Sequence, residues 1–261
     1  MTFATVIVLA LGLCARAASP DLTLNSAADN PARSAKFVAR DSARHPFEEL
    51  TFFEITPQST VVEIWPGGGY WTEILAPFLH DYGAYYVALR GKGGSGAADA
   101  EADKLNAFFR AKIEADKATY GKLTPTVFGV GQGEISPPGS ADFVLSFRNL
   151  HNWLKDGFAP QAFAAFYRGL KRGGVLGLED DRGQRGTAQD PNAADGFVRL
   201  DYAIALADKA GFVFAGSSEI NANPKDTANW PKGVWTLPPT FASATKTEPN
   251  MKPSAKRIIL C

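Results

Sequence analysis

From position 60 onward, short apolar runs alternate with longer stretches whose apolar residues recur every three or four positions. Thr60-Val61-Val62-Glu63-Ile64 predicts a buried strand, and 70–79 an amphipathic helix entered through a glycine turn. A second strand is predicted at 84–89, then a long charged helix over 99–120. The helical stripe of Leu105, Phe108, Phe109 and Ile113 assigns that helix's inner face to the core. Strands follow at 126–130 and 141–147. A helix at 158–170 is predicted to stop at Arg172-Gly173-Gly174. Beyond it the pattern gives a strand at 175–178, a helix at 196–210 and strands at 212–220 and 256–260. Such alternation predicts an α/β domain with a mostly parallel sheet and helices on both faces.

Ahead of this region, 31–54 is predicted helical from Phe37, Val38, Phe47, Leu50 and Phe53, with an interruption at Pro46. It is expected to cover an edge of a single domain spanning 31–261, and 18–30 reads as a flexible lead-in. Residues 1–17 read as a signal peptide: Ala4 to Ala15 is an apolar run too short to span a bilayer with ease, and Ala15-Arg16-Ala17 has the small-x-small cleavage pattern. The mature chain is therefore expected to be periplasmic or secreted, with no stable membrane insertion. Cleavage would leave Cys261 as the sole cysteine, which excludes an intramolecular disulfide and a cysteine-based zinc site.

At 45% hydrophobic and 21% charged residues the composition is that of a globular domain. Lys plus Arg balance Asp plus Glu, 27 against 27, so no overall field favours nucleic acid, and a small-molecule partner is the expectation. Nothing in the composition indicates an oligomeric state.

The most informative stretch is Glu63-Ile64-Trp65-Pro66-Gly67-Gly68-Gly69. A strand ends, the backbone turns without side chains, and a helix N-terminus offers free amides to a ligand. A dinucleotide-binding loop would need a third glycine and an acid closing the second strand; Tyr70-Trp71-Thr72 and Arg90 supply neither. After the fourth strand, Arg148, Asn149, His151 and Asn152 form a polar wall, with His151 the candidate general base. Glu179, Asp180 and Asp181 close the fifth strand. Unpaired acids are costly to bury, so they are expected to face the cleft or solvent, and no spacing among them demands a metal. The polar run 218–227 and the aromatic segment 234–239 are expected to serve mainly as structure.

The strings E-I-W-P-G-G-G-Y-W-T-E-I-L-A-P, F-R-N-L-H-N-W, G-L-K-R-G-G-V-L-G, S-E-I-N-A-N-P-K-D-T and G-V-W-T-L-P-P, in this order from about Ala35 to the C-terminus, resemble a bacterial family of predicted class I S-adenosylmethionine (SAM)-dependent methyltransferases, often exported. The resemblance implies a seven-stranded, mostly parallel sheet with an antiparallel last strand, and SAM as cofactor. It assigns Glu63, Gly67, Gly68 and Gly69 to the cofactor, Glu134 to its adenine end, and Arg148, His151 and Asn152 to a small-molecule acceptor. The chain departs from the pattern at four places: Trp65 stands at the first glycine of the loop, Arg90 where an acid binds the ribose, Asp181 where a histidine is expected, and Leu200 where a glutamate is. Asp99 and Glu101 are the substitutes for the missing ribose acid. These departures, with export away from the cytosolic cofactor pool, make a non-catalytic or repurposed binding protein on the same scaffold the alternative reading.

Overall fold

The computed structural model describes residues 23–93, 96–237 and 256–260, the last as backbone. Seven strands form one sheet in the order β3-β2-β1-β4-β5-β7-β6. They are β1 (Thr60–Ile64), β2 (Ala84–Arg90), β3 (Thr124–Phe128), β4 (Ala141–Phe147), β5 (Leu170–Asp180), β6 (Phe214–Ser218) and β7 (Lys256–Leu260). β1 lies between β2 and β4, parallel to both. β7 runs antiparallel to its neighbours β5 and β6.

The helices are α1 (Leu24–Ala28), α2 (Ala35–Val38), α3 (Asp41–Arg44), α4 (Pro46–Phe52), α5 (Thr72–Leu79), α6 (Gly96–Ala115), α7 (Lys117–Tyr120), α8 (Leu150–Lys155), α9 (Ala159–Gly169) and α10 (Leu200–Ala210). Successive side chains of a strand point to opposite faces, and β1 shows what that does here. Val62 and Ile64 join the core that holds α8, α9 and α10, built around Trp153, Phe163 and Phe166. Val61 joins the core on the other face, with Leu75, Phe78 and Phe109. Glu63 points to that same second face, toward Thr72 and Tyr85.

Several elements differ from the sequence reading. The expected helix over 31–54 is three short ones, broken at Arg40 and at His45, whose φ of 42° is left-handed; Pro46 then starts α4, where its missing N–H costs nothing. Part of the expected flexible lead-in is α1, capped by Thr23 and seated in the core through Ala27 and Ala28. The stripe on α6 is only partly core: Phe109 is fully buried, Leu105 and Ile113 are half-buried, and Phe108 is 49% exposed beside Lys36. That helix covers the β2 side of the sheet, so one narrow face meets protein. Arg172-Gly173-Gly174 does not terminate α9 from outside the sheet; it lies within β5, where the pairing with β4 shifts register. The proposed signal peptide and residues 238–255 lie outside the described residues.

Candidate functional site

The chain leaves β1 toward β2 on one side and later returns to β4 on the other, so the carboxyl ends of β1 and β4 flank a topological switch point. Open α/β sheets bind ligands there. The turn at this point needs its glycines: Gly67 and Gly69 take φ of 57° and 86°, which side-chain-bearing residues adopt only under strain. A Cβ on Gly67 would meet no atom within 4 Å, whereas one on Gly68 would touch Phe37 at 3.4 Å and one on Gly69 would press on Phe109 at 3.3 Å. Gly67 is thus the open point of the turn, and Gly68 and Gly69 are roofed by α2 and α6.

Glu63 does not face the turn. It is buried beneath it, accepting hydrogen bonds from Thr72 Oγ1 at 2.7 Å and from the Tyr85 hydroxyl. Burial pushes its carboxyl up to about 7, against those two donors, which pull it down. Both bonds fall on Oε2 and tie the carboxylate to α5 and β2, so it braces the loop from beneath. Glu134 follows β3. It is exposed, in a segment that runs back alongside β3, where Thr126 Oγ1 donates to the Ile135 carbonyl. Its neighbour Gly133 lies against α9 at Arg168 and Ala165.

Trp65 takes the place the resemblance gives to a glycine, at a left-handed φ of 51°. The indole lies over the ends of β2 and β3, its Nε1 donating to the Phe128 carbonyl at 2.9 Å. Phe128, Phe158 and Trp153 pack around it with ring centres 6.0–6.1 Å away. Arg90, the last residue of β2, lays its guanidinium over the indole at 4.5 Å and pairs with Asp156. Asp99, one of the two acids considered in place of Arg90, accepts a bond from the Gly93 amide at 3.2 Å, and Glu101 is exposed on α6.

The ends of β4 and β5 have a different chemistry. Arg148, at φ 62°, donates its amide to the Glu179 carbonyl and pairs through its guanidinium with Asp181 at 2.7 Å. His151 is anchored twice on Asp180, by its amide at 3.1 Å and by Nδ1 at 2.9 Å. Asn221 donates to Glu179 Oε1 at 3.4 Å, and its Oδ1 lies 2.9 Å from His45 Nδ1. Asn149 donates to the Ile64 carbonyl, tying this edge to β1, while Asn152 sits half-buried on α8. The three acids expected to face the cleft or solvent are all buried instead. Each has a partner through at least one oxygen, an arginine, a histidine or an asparagine amide, while Glu179 Oε2 and Asp181 Oδ1 are buried with no hydrogen-bond partner.

Electrostatics follow from that burial. It raises the Asp181 carboxyl to about 6, with Arg148 pulling it the other way. It also works against the charges of Arg148 and His151, but Asp181 on the one and Asp180 on the other outweigh it and hold both above their ordinary values. Arg40, on the roof beside Tyr70, is brought down to about 10 by burial and by the charges of Arg44 and Arg148. Among the described residues no group of three or more His, Cys, Asp or Glu side chains is placed to hold a metal, and no helix is long and apolar enough to cross a membrane.

SAM, the cofactor the fold implies, fits this edge unevenly. Its methionine end suits the open backbone at Gly67. Its adenosyl end, which would lie past β2 and β3, meets the indole of Trp65 and a guanidinium in place of a ribose-binding acid. Sequence reasoning flagged both substitutions, and it missed the ties of Asp180 to His151 and Asn221 to His45, which join residues 29 and 176 positions apart.

No family model matches the chain, and no curated protein matches it by sequence. Solved structures of similar fold include a SAM-dependent methyltransferase from Aquifex aeolicus, at 14% identity over 70% of this chain and 87% of that one, with a TM-score of 0.53. Human N-acetylserotonin methyltransferase in complex with SAM is similar at 12% identity, over 87% of this chain and 53% of that one, with a TM-score of 0.51. The pyocyanin biosynthetic protein PhzM is similar at 11%, over 91% and 61%, with a TM-score of 0.50. The chain thus spans little more than half of the last two. At these identities the likeness speaks to architecture, and with the strand order it shows that the chain adopts the α/β fold of the class I SAM-dependent methyltransferases.

Proposed function

We propose that the chain is a SAM-dependent methyltransferase acting on a small molecule, and that Trp65 must leave its seat before the adenosyl group can enter. The observation that carries this reading is the glycine turn at the switch point, bare at Gly67, facing a polar edge that ends in the Asp180–His151 pair. When bound, the cofactor supplies an electrophilic methyl group. The chain's own part is to position and deprotonate. Gly67 and its neighbours offer backbone to the methionine end. Asp180 holds His151 by Nδ1, which leaves Nε2 as the ring nitrogen that takes a proton from the acceptor. Arg148, fixed by Asp181, and Asn152 orient the acceptor. Alignment of nucleophile and methyl then accounts for most of the rate.

Releasing the indole costs a few kcal/mol: about 1 kcal/mol for one neutral hydrogen bond, about 0.5–1 kcal/mol for the cation–π contact and about 2 kcal/mol for the packing of a half-buried ring. The left-handed backbone, strained by about 1–2 kcal/mol, offsets part of that cost when φ relaxes as the ring leaves. The test is calorimetric titration of the chain with SAM and S-adenosylhomocysteine. Saturable binding supports the reading; absence of heat at millimolar ligand overturns it.

A second reading has Trp65 itself in its favour. If the indole is a permanent part of the core, the adenosyl place is filled for good, and the chain is a repurposed binding protein on the same scaffold. We also take 1–17 as an export signal, which places the mature protein in the periplasm or outside the cell. Mass spectrometry of the mature protein should then give an N-terminus at Ala18; an intact Met1 would refute export.

A further inference from the structure

The side chain of His151 is 7% exposed. Asp180 holds the ring at Nδ1, and Trp235 stands against it at a steep angle, with ring centres 5.5 Å apart. Trp235 is itself half-buried, so the indole lies between the imidazole and solvent. It comes from far along the chain, in a 3-10 turn at Gly233–Thr236. That turn rests on 194–197. The Val234 amide donates to the Asp195 carbonyl at 2.9 Å, and Trp235 Nε1 donates to the Ala194 carbonyl at 3.0 Å. The two backbones approach so closely that a Cβ on Gly233 would collide with the Asp195 carbonyl, and one on Gly196 with Val234. Phe197, Val234 and Leu237 pack together in a small core of their own. The support is in turn fixed to the end of β5: the Val198 amide donates to the Asp181 carbonyl at 2.8 Å, and the Gly183 amide to the Val198 carbonyl at 3.0 Å. Trp235 and His151 are therefore held from the same strand end, one by way of Asp181 and the other by Asp180.

We propose that Trp235 is a positioning residue for His151: its indole closes the imidazole off from water, so that the proton the ring takes comes from a bound acceptor. The role in methyl transfer rests on the methyltransferase reading, but the shielding does not. The indole N–H is engaged with Ala194, which leaves the ring itself, not a hydrogen bond, to meet His151. A phenyl ring at this position should therefore serve nearly as well, and a methyl group should not.

The experiment is modification of the full chain with diethyl pyrocarbonate, which attacks unprotonated imidazole, read at each histidine by peptide mass spectrometry. It uses neither SAM nor acceptor, so its failure and that of cofactor binding are separable. Following the rates across pH separates protonation of each ring, which sets where the rate levels off, from access to it, which sets the plateau. His80, with 29% of its side chain exposed, is the internal reference. The expected result is a His151 plateau raised about tenfold or more in Trp235→Ala, with His45 and His80 unchanged, and kept within about twofold of the parent in Trp235→Phe. Circular dichroism establishes that each variant is folded. If Trp235→Ala is not, the parent and Trp235→Phe decide: a His151 plateau about tenfold below that of His80 in both supports the proposal, and equal plateaus overturn it. No gain in a folded Trp235→Ala overturns it, as does an equal gain at His45, which marks general loosening. A gain in Trp235→Phe as large as in Trp235→Ala also overturns it, because the tie to Ala194 and not the ring would then protect His151.

Discussion

The two halves of the sheet's carboxyl edge solve opposite problems. Over β1, β2 and β3 the edge is closed by aromatic packing, with Trp65 seated among Phe128, Trp153 and Phe158. Over β4 and β5 it is built from buried charges, each held by a partner from another element. The first half depends on shape: a side chain fills a place that backbone alone would leave open. The second depends on pairing, since a charge removed from water is tolerable only beside its counterpart. One half is therefore held by the packing of a ring, and the other cannot lose a member without strain on the rest.

The largest effect should come from breaking a pair. Arg148→Met leaves Asp181 buried without its cation and should cost about 3–5 kcal/mol, read from urea unfolding. Removing both, as Arg148→Met with Asp181→Leu, should recover most of that loss. A single change that costs under about 1 kcal/mol would show that pairing does not govern this half.

The next effect depends on pH and has a member in each half. Glu63 is raised to about 7 and Asp181 to about 6, both above the unfolded carboxylate range. The folded chain holds these protons more tightly than the unfolded one does, so ionisation opposes folding. Their contribution is most favourable below the unfolded values and is lost as pH climbs through about 6 to 7. Glu63→Gln should flatten this decline by an amount on the order of a few kcal/mol between about pH 5 and 8. A profile that is equally steep in parent and variant would remove Glu63 from the account.

A smaller loss, about 2 kcal/mol, is expected for Trp65→Ala, because the indole is half-buried and a fully buried one would cost more. Smallest of all is Glu219→Gln. That residue is 58% exposed in its side chain, and losing its pair with Arg182 should change stability by less than about 0.5 kcal/mol. A loss as large as that of Arg148→Met would mean that this pair shares the buried network.

The contrast also marks what could be read without coordinates. The strands at 60–64, 141–147 and 256–260 were legible because each is an apolar run too short for a helix, recurring between helical stretches. The glycine turn was legible because strand, turn and helix follow one another in sequence. Pairings across the fold were not: three adjacent acids predict solvent on local grounds, and only the tertiary arrival of Arg148, His151 and Asn221 makes their burial tolerable. Nor could the sequence show that Thr72 and Tyr85 reach Glu63 from α5 and β2. Trp65 stood out as a departure, but its seat under Arg90 depends on where β2 and β3 end.

The central claim is that Trp65 stands in a place meant for the adenosyl group. Calorimetric titration of Trp65→Gly with S-adenosylhomocysteine, beside the parent, tests it most directly, because glycine relieves the left-handed backbone and empties the seat together. The account predicts saturable binding in both, tighter in the variant by about tenfold or more. A folded variant that binds no more tightly than the parent, or not at all, contradicts it.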